Sequence, residues 1–159
     1  MADPMPPWLD ADQQQLWQAL LTVVISLPAA LDRQLQRDAG ISNFEYSVLA
    51  RLSEMEDRTV RLGELARVTD STLPRLSKVM HRFERQGWVT RRPDPDDGRC
   101  TLATLTAEGL QKVVDSAPDH VAEVRRLVIE PLTAGQRRHF AAALERVAET
   151  VRRELAEGR

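Results

Sequence analysis

Between Arg61 and Gly109 the sequence runs through two short helical patterns, a basic turn-rich segment and a fresh helix start, an order that few folds accommodate. Leu73 to Gln86 sets Leu76, Val79, Met80 and Phe83 on one stripe, so one helical face is expected to pack inward and the other to stay free. Arg75, Lys78 and Arg82 are expected on the free face. Gly87 terminates this helix, Trp88 to Arg92 reads as a strand, Pro93 to Gly98 as a turn, and Arg99 to Leu105 as the returning strand. Upstream, Thr59 to Arg61 reads as a short strand and Gly63 to Val68 as the first helix of the pair. Thr72 is placed to cap the second helix, and Pro74 is tolerated in its first turn, where no intrahelical donor is required. This is the layout of a winged helix-turn-helix, and the free helical face suits the groove of double-stranded DNA.

The flanking sequence is helical too. Residues 1–9, with three prolines, read as an N-terminal arm. Asp10 or Asp12 can cap a first helix carrying Leu16, Leu20, Val23, Leu27, Leu31 and Leu35, which Pro28 is expected to kink or divide and Gly40 to end. Ser42 and Glu45 form a capping box for a helix through Ser53 with Phe44, Val48, Leu49 and Leu52 on its core face. Beyond the hairpin, the Thr106 hydroxyl opens a helix that continues past Pro118, and a last helix runs from about Thr133 to Leu155 with Phe140, Leu144, Val147 and Val151 in register. These terminal helices carry more apolar surface than a small winged helix can cover, so a second subunit is expected to bury it.

Charge and cysteine usage narrow the function classes. The net charge is −2, yet residues 58–99 hold ten Arg or Lys against six Asp or Glu, a local positive field on an otherwise acidic chain. Cys100 is the only cysteine, so no intramolecular disulfide forms, and a redox role would need a lowered thiol pKa that sequence does not reveal. No Lys or Arg precedes Arg33, so no signal-peptide n-region is read; the apolar run from Ala19 to Leu31 is judged too short to span a bilayer; a cytoplasmic location without membrane contact is expected. His81, His120 and His139 lack a second ligand at helical spacing, and no phosphate loop, nucleophile elbow or carboxylate pair occurs, so no metal, cofactor or catalytic activity is expected.

Over residues 10 to 155 the chain resembles the MarR (multiple antibiotic resistance regulator) family of transcription regulators. The resemblance rests on Leu62-Gly63-Glu64-Leu65-Ala66, Phe83-Glu84-Arg85-Gln86-Gly87-Trp88-Val89, Asp94-Pro95-Asp96-Asp97-Gly98-Arg99 and Leu105-Thr106-Ala107-Glu108-Gly109, taken in order and spacing. It implies a mainly α fold with a small β-hairpin wing. Residues 10–40 and 106–155 would be dimerisation helices, and 41–105 the winged helix-turn-helix lobe. It implies a homodimer with one recognition helix per subunit in the major groove and wings reaching the minor groove. Carried onto this sequence, the base-reading and phosphate-binding positions fall on Pro74, Arg75, Ser77 and Lys78, the wing arginine on Arg99 and its orienting aspartate on Asp97. Thr72 and Arg82 complete the candidate DNA-binding set. Pro74 replaces a hydroxyl residue and Gly63 a capping serine common in the family, and Trp88 stands where Leu is usual. The resemblance also implies a pocket for a small aromatic or phenolic effector, to which Trp17, Phe44, Tyr46 and Arg51 are candidate contributors.

The residue chemistry agrees with these roles. Arg75 can offer a bidentate fork to guanine O6 and N7, and Lys78 a point charge to phosphate. Arg99 suits a narrow A·T-rich minor groove, with Asp97 holding its guanidinium. The expectation is a ligand-responsive repressor binding a pseudo-palindromic operator. The alternatives are a winged-helix protein-interaction module, which would want aromatic anchors that this basic face lacks, and the dimerisation lobe of an enzyme, for which no catalytic segment is present.

Overall fold

The computed structural model describes residues 8–157. The expected N-terminal arm, apart from Trp8 and Leu9, lies outside the described residues. Helix α1 (Ala11–Ala39) starts with a capping box in which Asp10 accepts from the Gln13 N–H and Gln13 returns to the Asp10 N–H. Pro28 lies inside α1 without dividing it. The helix closes on Gly40, whose φ of 65° is the left-handed conformation that glycine adopts without a steric penalty. Helix α2 (Asn43–Ser53) opens on the Ser42–Glu45 capping box read from the sequence.

After one turn of 3₁₀ helix (Glu56–Arg58) come strand β1 (Thr59–Arg61), helix α3 (Leu62–Val68) and helix α4 (Leu73–Arg85). The turn joining α3 to α4 places Asp70 at a φ of 45°, which a short polar side chain tolerates. Strands β2 (Val89–Pro93) and β3 (Thr101–Leu105) form an antiparallel hairpin in which Val89 faces Leu105 and Pro93 faces Thr101. The second strand is shorter than the sequence reading, because Arg99 and Cys100 belong to the turn. Strand β1 adds to the far edge of β3 with Val60 opposite Ala103, giving the order β1-β3-β2.

The core lies between α2, α3, α4 and this sheet. Val48, Leu49, Leu52, Leu65, Leu76, Met80, Phe83, Val89 and Ala103 are buried in it, and Phe44, Val79 and Trp88 pack against its margin. Helix α5 (Ala107–Val124) is tied to the hairpin at its first turn. The Thr106 hydroxyl accepts from the Gly109 N–H at 3.0 Å and donates to the Gly87 carbonyl at 2.7 Å. A Cβ at Gly109 would sit 2.2 Å from the Trp88 carbonyl oxygen, so this close approach demands glycine.

Contacts divide the chain between His120 and Val121. In the second unit, five residues of wider π-helical winding (Arg125–Ile129) follow α5, and helix α6 (Ala134–Glu157) follows a turn at Thr133, whose hydroxyl accepts from the Gln136 N–H at 3.3 Å. No residue of α6 is buried, and Phe140, Leu144, Val147, Val151 and Leu155 are exposed. The first half of α1 is similarly bare, with Leu16, Trp17, Val23, Val24 and Ile25 exposed. Among the described residues α1 is also the one helix long and apolar enough to cross a membrane by length and composition. That corrects the reading of Ala19 to Leu31 as too short, since the run is part of a 29-residue helix. Its capped, charged ends and its exposed apolar face equally suit a helix that is covered by protein.

Candidate nucleic-acid interface

Helix α4 owes its orientation to amphipathicity. Leu76, Met80 and Phe83 are buried, which turns Leu73, Pro74, Arg75 and Lys78 outward at the N-terminal end. Thr72 caps the helix by accepting from the Arg75 N–H at 3.4 Å. A groove of about 710 Å³ runs beside this end, lined by Arg61, Gly63 and Arg67, by Pro74 and Ser77 of α4, and by Arg99 and Cys100 of the wing turn. Pro74, Ser77 and Arg99, named from sequence, therefore meet in one groove, while Lys78 lies exposed on the next turn of α4.

The wing is held rigid at its base and left free at its tip. Asp94 is only 4% exposed, accepting from the Asp96 N–H at 3.0 Å and from Arg61 Nε at 2.6 Å. The Asp96 N–H and the Arg61 guanidinium together hold the Asp94 carboxyl below its ordinary value, so it stays ionised. At the tip, Arg99 Nε donates to Asp97 Oδ1 at 3.0 Å while the Arg99 side chain stays 92% exposed. The same pairing lowers the Asp97 pKa and raises that of Arg99. The arginine is thus oriented and fully charged without being buried. The half-buried Cys100 thiol donates to Asp97 Oδ2 at 3.6 Å.

Two named arginines stand differently from the sequence expectation. Arg82 does not project freely. Its guanidinium reaches across to donate to Glu45 Oε1 on the first turn of α2 at 2.8 Å and to the Gly40 carbonyl at 3.1 Å. Arg75 is exposed, but its guanidinium carbon stacks 3.9 Å above the Phe44 ring. Of the residues suggested for an effector pocket, Phe44 and Tyr46 both pack against the margin of the core, and each of the four has different immediate neighbours. Trp17 lies with Gln13 and Leu20 of α1 and with Leu9 just before that helix, Phe44 lies under Arg75, the Tyr46 ring is 4.5 Å from that of His120, and exposed Arg51 pairs with Glu54 at 3.1 Å. His81 is exposed, with Nδ1 2.9 Å from Arg91 Nη2.

Sequence reasoning did not single out Arg61, Arg67 or Asp94. The Asp94-Pro95-Asp96 run carried a usable signal, since an aspartate two residues before a backbone N–H commonly closes an Asx turn.

A three-stranded sheet, a paired α3 and α4 and an exposed hairpin tip beside α4 define a winged helix-turn-helix protein. The MarR family model matches residues 41–101, which hold α2, β1, α3, α4, β2 and the wing turn up to the first residue of β3. Over the whole fold the chain is similar to Sco3205, a MarR family transcriptional regulator from Streptomyces coelicolor solved in complex with DNA. The identity is 38%, over 93% of this chain and 92% of that one, with a TM-score of 0.86. AbsC, a MarR family transcriptional regulator from the same organism, is 34% identical over 92% of this chain and 99% of its own, with a TM-score of 0.85. The transcriptional repressor MprA of Escherichia coli is 27% identical over 70 residues, which span 44% of this chain and 40% of that protein. The chain belongs to the MarR family.

Proposed function

We propose that the protein is a sequence-specific, double-stranded DNA-binding transcription regulator that acts as a homodimeric repressor on a pseudo-palindromic operator. The observation that carries this reading is the joint groove of α4 and the wing, where Pro74, Ser77 and the oriented, solvent-facing Arg99 stand together. Arg75 reads a base edge once it leaves or tilts from the Phe44 ring, Lys78 neutralises phosphate, and Arg99 enters the flanking minor groove. Residues 41–105 form the DNA-binding lobe, and residues 10–40 and 106–155 supply the dimerisation helices, whose bare apolar faces support pairing with a second copy. The reading gives the chain no catalytic role and places it in the cytoplasm. Any small aromatic or phenolic effector acts by favouring a dimer whose recognition helices are wrongly spaced. Selection of duplexes from a random pool at near-physiological salt tests the reading. An enriched inverted repeat with half-site centres about 34 to 36 Å apart is expected; a folded dimer that enriches nothing contradicts it.

A further inference from the structure

Helix α1 ends where three other helices meet, and its last carbonyls are taken by cations from two of them. Lys112 Nζ of α5 donates to the Ala39 carbonyl at 2.6 Å, and Arg82 Nη2 of α4 donates to the Gly40 carbonyl at 3.1 Å. Both contacts sit at the negative end of the α1 dipole. Arg82 spans two acceptors, since its Nη1 also donates to Glu45 Oε1 at 2.8 Å. Glu45 is 5% exposed, and its other oxygen accepts from the Ser42 N–H at 2.7 Å and the Ser42 hydroxyl at 2.9 Å. One buried carboxylate therefore caps α2 and grips α4, while the same guanidinium holds the end of α1. A bidentate arginine fixes an angle between its partners, which a point charge does not.

We propose that Arg82 is a positioning residue that locks the recognition helix α4 to the end of α1, and that this lock sets which half-site spacing the dimer accepts. The proposal rests on the DNA-binding reading above. Arg82 itself does not touch DNA. With the lock closed, the orientation of α4 follows that of α1, the helix whose exposed apolar half carries the proposed dimer contact. With it open, α4 samples a wider range of angles and tolerates operators of altered spacing.

The test uses the full chain and three duplexes: the inverted repeat enriched from the random pool, and the same repeat with one or two base pairs inserted between half-sites. The wild type is expected to lose roughly tenfold or more in affinity on insertion, within the usual range of coupling between sites. Arg82→Gln, Arg82→Lys and Glu45→Gln are each expected to reduce that discrimination to about twofold, mainly by weakening binding to the original spacing. Glu45→Gln keeps the α2 cap, because glutamine serves in a capping box, and the buried residue 45 is out of reach of DNA. Helical content by circular dichroism checks that each variant folds, and Glu45→Gln carries the test if Arg82→Gln does not. Unchanged spacing discrimination in the variants overturns the proposal. So does a uniform loss in Arg82→Gln across all duplexes that Arg82→Lys restores, the signature of a direct phosphate contact. A wild type that enriches no duplex removes the DNA-binding reading and this proposal with it.

Discussion

Helices α4 and α6 are both amphipathic, yet they have opposite fates. Of the 13 residues of α4, Leu76, Met80 and Phe83 are buried, and its charged side chains are either aimed outward or tied to carboxylates. Of the 24 residues of α6 none is buried, and a row of apolar side chains faces solvent. The first half of α1 behaves like α6, while its end at Gln34 and Leu35 is buried like α4. The contrast teaches that the winged lobe closes its own core, whereas the terminal helices leave apolar surface uncovered, the surface that the proposed dimer would bury.

The comparison breaks first at its cores. Phe83→Ala should cost about 3–5 kcal/mol by leaving a cavity under α4, read as a lower denaturation midpoint independent of protein concentration. Phe140→Ala should instead make the melting temperature depend more steeply on concentration and shift sedimentation toward monomer, since its exposed ring belongs to the apolar face assigned to the proposed dimer. Equal, concentration-independent losses for both would erase the distinction between the two regions.

Within the lobe, Gly109→Ala should cost about 1–3 kcal/mol through overpacking, since the new Cβ meets the Trp88 carbonyl, whereas Gly63→Ala, with open space around it, should be nearly neutral by thermal melting. On the outward face, Arg75→Ala should remove about 1–3 kcal/mol of discrimination at one base position, while Lys78→Ala should weaken all duplexes alike and reduce the salt slope by about one. Binding titrations against single-base operator variants separate the two.

The smallest effects are acid ones. Burial lowers the His120 pKa below 6.5, so the folded state favours the neutral ring and the contribution is lost as pH falls through that range. Melting temperature should therefore decline slightly below pH 6.5, and His120→Gln should flatten this step. The lowered pKa values of Asp94 and Asp97 make the wing contacts fully present above their ordinary value of 3.8 and lost as pH falls further. A wing whose amide protection stays unchanged on acidification until both carboxyls are protonated would contradict that.

Local chemistry made much of this molecule legible. The Ser42–Glu45 box, the Thr72 and Thr106 caps and the α4 stripe all follow from successive residues spaced four positions apart or fewer, and each stands where it was expected. The Asp97–Arg99 pair, implied by the family resemblance, is also a contact between near neighbours in sequence. What escaped were contacts between distant positions. Arg61 meets Asp94 across 33 residues, Arg82 meets Glu45 across 37, and the Thr59 and Thr104 hydroxyls meet across 45. No local preference encodes such pairings; they arise once burial has set the elements against each other. Arg82 shows the cost of reading a helix face alone, since the face opposite the core proved to have a neighbour of its own.

The central claim, a dimer placing two copies of this α4-and-wing surface on DNA, is tested most directly by hydroxyl-radical footprinting of the full chain on the enriched duplex. The account predicts two protected blocks with centres about one helical turn apart, with flanking minor-groove protection that Arg99→Ala removes. A single block, or flanks unaffected by Arg99→Ala, would contradict it.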